Sequence, residues 1–425
     1  MRKITLYYLY SFLLIDLFNG FILQYLKIPL PISPGQMIRS IFLILAIYDL
    51  IRTNKFSGVN RYIFTLIFLL PMYLCLYIVR DGSYDFIHIE IIEYVKPLFF
   101  LVILDIICKH NHYFRKKMSI IMLINLVIYS FSIIGSSISG FGIITYQAYG
   151  YYATKSFFYA NNTTAIMSLI LSIYYSYQLI DKKSSIIPLS FAIVAMFLSG
   201  TKTIIFIPFI FVYILTFKVI KKKMLKWIMV PTSIILIILG ILSIKNATYF
   251  VNNNIFNKYE SRVYHSVNLP SIERDEITNP LLKYYSYISG GRALRANRGL
   301  MNLYNEPENI FFGYGFSMLS EKVGYNYASK TGSEMDAIDL LLRYGIIGSI
   351  CIYMPIITII ISLVRRRKTD MISMPIYIIF LYSTFAGHII TAPMGASVFA
   401  LFLGLAYNIP SRKRLYTENK MQLIM

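Results

Sequence analysis

The sequence predicts an all-α polytopic integral membrane protein of about 12 transmembrane helices, with one large extracytoplasmic loop between helices 9 and 10. Three observations predict it. Apolar runs recur along nearly the whole chain, and a run of about 20 residues spans a bilayer as a helix. Of the 425 residues, 57% are hydrophobic and only 14% charged, whereas soluble domains carry about 25% charge. The runs part around a single polar block, residues 245–335.

The predicted spans are roughly 5–26, 35–51, 62–79, 90–108, 118–138, 162–180, 185–199, 202–219, 226–244, 336–364, 372–387 and 391–409. The first run lacks a small-residue cleavage site and reads as a retained helix rather than a signal peptide. The two runs flanking Gly200 also fit one re-entrant unit. Residues 1–244 therefore hold helices 1–9, residues 245–335 the loop, and residues 336–425 helices 10–12 with a cytoplasmic tail.

Lys and Arg placement sets the orientation, because cytoplasmic segments are enriched in both. With an inner N-terminus and strict alternation, the inner segments hold 24 of them, in clusters such as Arg115–Lys117, Lys221–Lys223 and Arg365–Lys368. The short outer loops hold 4: Lys27, Arg80, Lys155 and Lys202. Both termini are thus expected inside and the large loop outside. The net charge of +21 is then mostly topological, helped by anionic inner-leaflet lipid, and calls for no nucleic acid. No room remains for a soluble nucleotide-binding or nuclease domain. Cys75, Cys108 and Cys351 fall in or at the ends of spans, so no disulfide or zinc site is expected. The five histidines are scattered: His110 and His112 inside, His88, His265 and His388 outside. Neither metal nor cofactor is implied.

Several polar residues fall where lipid tolerates them poorly. Glu90, Glu93 and Lys96 share a face of helix 4, either as packing ion pairs or as the lining of an active cavity. Arg39 and Arg343 stand alone by comparison. Ser199-Gly200-Thr201-Lys202-Thr203 places a lysine at a helix N-terminus, suited to a phosphate or to snorkelling.

The loop carries Ser289-Gly290-Gly291-Arg292-Ala293-Leu294-Arg295-Ala296-Asn297-Arg298. In a helix, Arg292, Arg295 and Arg298 fan over about 120° of one face, a fit to phosphate oxygens or simply a solvated basic face. Asn309-Ile310-Phe311-Phe312-Gly313-Tyr314-Gly315-Phe316 follows, with Gly313 and Gly315 allowing a tight turn close to a ligand. Glu334-Met335-Asp336-Ala337-Ile338-Asp339 then leads into Tyr344-Gly345-Ile346-Ile347-Gly348. Partly buried carboxylates there suit proton abstraction, though Asp336 and Asp339 also fit a helix cap.

These motifs, in this order and topology, resemble the O-antigen polymerase (Wzy-type) and O-antigen ligase superfamily. The Ser-Gly-Gly-Arg run at 289–292 is similar to that family's Ser-Gly-Arg element. Phe311–Gly315 is similar to its Gly-x-Gly segment, Phe157–Asn162 to its Asn-containing entry to a middle span, and Ser199–Lys202 to its Ser-x-Ser-Arg element. Ligases carry a His ahead of Gly-x-x-Gly; counting back from Gly345 and Gly348, Glu334 holds that position, which favours the polymerase.

The resemblance implies metal-independent glycosyl transfer between undecaprenyl-pyrophosphate-linked oligosaccharides, donor and acceptor alike, on the outer face of the bacterial cytoplasmic (inner) membrane. A chain-length regulator and a flippase are the implied partners. Arg292, supported by Arg295, Arg298 and Lys202, would stabilise the leaving pyrophosphate. Glu334 would take the acceptor proton, with His265 and Asp336 as alternates. Gly313, Gly315, Asn162 and Lys96 would line the substrate site, and Tyr314, with Tyr284, Tyr285 and Tyr287, would stack on sugar rings. The rival readings are an O-antigen ligase, a polysaccharide or drug transporter, for which no internal repeat is found, and a structural or sensory membrane protein.

Overall fold

The computed structural model describes residues 1–30, 32–53, 58–81, 87–145, 153–181, 183–200, 292–316, 333–366, 368, 370–385 and 387–407. Predicted spans 8 and 9, Lys202 and His265 lie outside the described residues, as does most of the loop.

The described residues form α1 (Arg2–Gly20), α2 (Pro34–Thr53), α3 (Asn60–Asp81), α4 (Ile87–Lys109), α5 (Asn111–Ser139), α6 (Asn161–Ile180), α7 (Ile187–Leu198), α8 (Arg292–Asn305), α9 (Asp336–Arg365), α10 (Ser373–Phe385) and α11 (Pro393–Tyr407). A π-helical turn, Phe21–Tyr25, extends α1. The chain is predominantly helical, and among the described residues six helices are long and apolar enough to cross a membrane: Arg2–Tyr25, Pro34–Arg52, Asn60–Val79, Asn111–Ser139, Asn162–Ile180 and Asp336–Arg365. Helices α7, α10 and α11 are apolar but shorter. One departure from the all-α expectation lies between α5 and α6, where Ile144–Thr145 (β1) pairs antiparallel with Ala153–Thr154 (β2).

The chain divides into two compact units. One comprises Tyr8–Ser40 and Ser119–Lys283. In it, α6 packs on α7, and Phe21, Tyr25, Phe141 and Phe157 make an edge-to-face aromatic cluster with centroids 5.1–5.2 Å apart. Asp16 pairs with Arg39 at 3.6 Å and accepts from the Tyr159 amide at 3.2 Å. Arg39, alone in the sequence, therefore has a carboxylate partner.

The other unit comprises Met1–Tyr7, Ile41–Met118 and Tyr284–Met425. Its centre is α4 against α11. From Pro97 to Cys108, α4 is buried on every side, as expected of a helix apolar all round, and Phe100 stacks on Phe399 at 5.7 Å. Asn111 donates to the carbonyls of Gly404 and Leu405 at 2.7 and 2.8 Å, and Arg115 to Leu405 at 2.9 Å. Together they satisfy two of the C-terminal carbonyls of α11.

Helix α9 breaks at Gly345, which adopts φ 62°, ψ −167°, a region open essentially to glycine alone. The break redirects two intrahelical bonds. The Ile346 and Ile347 amides donate instead to Ile310 and Phe311, at 2.8 and 3.3 Å. The carbonyls of Leu342 and Arg343 accept from Tyr314 and Gly315, at 2.7 and 3.0 Å, and Tyr73 Oη donates to the Tyr344 carbonyl. Every one of these groups would be costly unpaired in an apolar setting. The segment Ile310–Gly315 is thus threaded into the break. A Cβ on Gly313 would stand 2.5 Å from the Arg343 carbonyl carbon and oxygen, and one on Gly345 would collide with the Phe311 carbonyl.

Gly345→Ala and Gly313→Ala should each destabilise the fold by at least about 1–3 kcal/mol from backbone strain alone, read as earlier unfolding in detergent. Gly135→Ala, on the exposed side of α5 with nothing within 4 Å of its Cβ, should be neutral or stabilising by about 0.5–1 kcal/mol.

Candidate active site

The site grows from the seven residues Ser333–Asp339. The sequence Arg292–Asn305 is rich in good helix formers, and its buried positions Arg295, Gly299 and Leu303 recur at helical spacing. Leu303 packs on Tyr314 and Leu342, with Ile310, Ile338 and Leu341 around them. This apolar contact seats α8 on α9 and aims its first turn at Glu334.

Arg292 donates through Nε and Nη2 to Glu334 Oε2, at 3.0 and 2.9 Å, and Arg295 Nη1 lies 3.4 Å from Oε1. Glu334 itself has φ 63°, left-handed backbone that an ordinary residue adopts only under local constraint. Burial pushes its carboxyl up, but the two guanidiniums outweigh that and hold it below the usual glutamate value near 4.5. Arg298 follows on α8, partly buried.

Two residues on, Asp336 is wholly buried. Its Oδ2 accepts from Ser383 Oγ at 2.7 Å and from the Ile389 and Ile390 amides at 2.5 and 2.8 Å. Its Oδ1 accepts from Thr391 Oγ1 at 3.1 Å. Asp339, also wholly buried, accepts from the Ser333 amide and hydroxyl at 2.6 and 2.7 Å and from the Glu334 amide at 3.1 Å. Between the two carboxylates stands His388, its Nδ1 3.5 Å from Asp336 and 3.6 Å from Asp339. Burial disfavours its cationic form, yet Asp336 and Asp339 together hold it above the ordinary histidine value.

Deeper along α9, Arg343 Nη1 pairs with Glu93 Oε2 at 3.5 Å, and its guanidinium lies 4.7 Å from the Phe316 ring centroid. Lys96 pairs with the other oxygen of Glu93, and Tyr344 Oη donates to the Glu93 carbonyl at 2.9 Å. Glu90 accepts from the Phe316 amide with both oxygens at 2.9 Å. A small cleft beside these groups is lined by Tyr73, Tyr77, Tyr94, Glu90, Arg343 and Tyr344.

Of the residues the sequence singles out, the fold brings together Arg292, Arg295, Glu334, Asp336 and, through Arg343, Lys96. It assigns several of them other work. Tyr314 is a buried core ring at 2% exposure, not a platform for sugars, and burial with Glu306 nearby pushes its hydroxyl up to about 12. Gly313 and Gly315 make their close approaches to α9 and to the Glu90 carboxylate. Asp336 does not cap its helix: the cap residue is Met335, and the Asp336 oxygens are filled by neighbouring donors. Asn162 belongs to the other unit, partly buried in the first turn of α6. Sequence reasoning missed His388 as a site residue. Its one signal is a histidine in the short turn between two apolar runs, 52 residues beyond Asp336 in a chain of 425.

No protein-family model, curated protein or solved structure matches the chain.

Two outcomes follow from these pairings. Glu93→Gln leaves Arg343 and Lys96 short of their shared carboxylate, so unfolding in detergent should come earlier by about 3–5 kcal/mol. Glu334 has a depressed pKa in the fold, so its ion pairs stabilise fully above the unfolded glutamate value and are lost as pH falls through the folded one. The stability gap between wild type and Glu334→Gln, measured from pH 7 downward, should therefore close below about pH 4.5.

Proposed function

We propose that this protein is a polysaccharide polymerase of the bacterial cytoplasmic membrane, joining polyprenyl-pyrophosphate-linked oligosaccharide repeat units on the outer face into O-antigen or capsule. The observation that carries the reading is the pair Arg292 and Arg295, held side by side on a partly buried helix turn against one carboxylate at the start of α9. Preorganised cations in a site poor in water are what a departing pyrophosphate requires. Arginine suits it best, because its fork matches phosphate oxygens two at a time.

The twelve-span topology expected from the sequence agrees with this placement. Alternation from an inner N-terminus puts the first residues of helices 4, 10 and 12 outside, and these correspond to the ends of α4, α9 and α11 that carry Glu90, Asp336 and the turn after His388. The site then faces the compartment where lipid-linked repeat units are joined. Because the donor arrives with its leaving group attached, the reaction calls on no nucleotide sugar. The acceptor hydroxyl attacks the anomeric carbon, the bond to the pyrophosphate oxygen breaks, and the electron pair leaves on phosphate beside Arg292 and Arg295.

Deleting the gene should collapse the surface-polysaccharide ladder to a single repeat unit still attached to its acceptor. Complementation with wild type should restore the ladder, and well-expressed Arg292→Ala should lower polymerisation at least about 100-fold. Long glycan that persists on the polyprenyl lipid would instead identify a ligase. An unchanged ladder would exclude both.

A further inference from the structure

Resting on the polymerase reading, we infer that His388 is the proton acceptor for the attacking hydroxyl, with Asp336 and Asp339 orienting its ring. The carboxylates are the first observation. Asp336 already accepts from Ser383, Ile389, Ile390 and Thr391, and Asp339 from Ser333 and the Glu334 amide. Neither needs the imidazole to satisfy its oxygens. Their common effect on the ring is to fix a proton on Nδ1, which makes Nε2 the accepting nitrogen.

The second observation is access. Both aspartates have no exposure, whereas the His388 side chain keeps 21%. Of these three groups the ring alone keeps any exposure. Its charge also acts on Glu334, the carboxylate that Arg292 and Arg295 hold.

The third observation removes the competitor. Glu334 is gripped by Arg292 through two nitrogens and by Arg295 through a third. Accepting a proton there would cost those bonds at the moment the arginines are needed for the leaving group. Glu334 serves better as the anchor that holds the two guanidiniums in place.

The step balances without a co-reactant. The acceptor O–H proton passes to Nε2 as its oxygen bonds to the anomeric carbon. The carbon–oxygen bond to pyrophosphate breaks, and polyprenyl pyrophosphate departs as the anion. The imidazolium then returns its proton to water.

The test uses full-length protein in proteoliposomes and the polyprenyl-pyrophosphate-linked repeat unit extracted from the deletion strain. His388→Ala and His388→Gln should each slow elongation by about 100-fold or more, while added imidazole restores rate to His388→Ala. The wild-type rate should rise with pH through a midpoint above the ordinary histidine value, a limb absent from both variants. The charged groups facing the ring are Asp336, Asp339 and Arg343 on α9, Glu334 ahead of it and Glu93 on α4. Asp339→Asn should therefore move the limb to lower pH rather than abolish it. Near-wild-type elongation by His388→Gln, or a loss in His388→Ala that imidazole does not reverse, overturns the assignment and leaves the polymerase reading standing. Failure of wild type to elongate the extracted unit overturns both.

Discussion

The break in α9 at Gly345 is the constraint on which the site depends. A helix interrupted among apolar neighbours exposes amides and carbonyls that lipid cannot satisfy. Here the segment Ile310–Gly315 satisfies them, with four backbone bonds in place of two. That exchange fixes more than the backbone. It ties the end of the polar loop to the span that follows, sets Tyr314 against Leu303 and Leu342, and so seats α8. Without the docked segment, Arg292 and Arg295 would have no fixed position relative to Glu334. The requirement for glycine is double, since the chain at Gly345 takes a conformation closed to other residues and Gly313 lies against the neighbouring backbone.

Charge is managed by the same economy of contacts. Arg343 is nearly without exposure, and a buried guanidinium is tolerable only with carboxylate close by. Glu93 provides it while also holding Lys96, so one acid answers two bases in the first half of α4. Glu90, one turn earlier, spends both oxygens on the Phe316 amide, securing the far end of the docked segment. Glu90 and Glu93 thus tie α4 to the docked segment and to α9, and Glu90 also lines the small cleft beside them. Partial exposure remains at Arg292, Glu334 and His388, and also at Lys96, whose side chain keeps 30%.

Much of the helical pattern was legible because lipid solvent leaves a coarse signal. Helices α2, α3, α6 and α9 fall within a few residues of the expected spans, since length and apolarity alone define them. The helical phase of Arg292 and Arg295 was legible from their spacing. What the sequence hid is contact at a distance. Gly313 and Gly315 read as a tight turn and Gly345 as part of a continuous span, yet Gly313 and Gly345 meet, because backbone complementarity leaves no mark on residue type beyond the glycines themselves. Tyr314 read as a sugar platform because an aromatic beside a polar loop looks the same whether it faces ligand or core. His388 was invisible as a partner of Asp336, since the turn between α10 and α11 meets the start of α9 only once the helices have packed.

The three acids between Glu334 and Asp339 show how one short segment can organise both halves of a site. Each points a different way. Glu334 turns to α8 and its arginines, Asp336 reaches across to the turn before α11, and Asp339 bends back to brace Ser333 and Glu334. Carboxylates are the only side chains that accept this many donors at once, and the left-handed residue at 334 lets two acids so close in sequence diverge. Asp339 sets the backbone at Glu334, while Asp336 sets the turn that carries His388. The cations and the ring are thereby referred to the same first turn of α9. Their separation is governed by that turn rather than by the loop that delivers one or the helix that delivers the other. On the proposed chemistry this is the distance that matters, because the proton leaves the attacking oxygen while the pyrophosphate leaves the anomeric carbon.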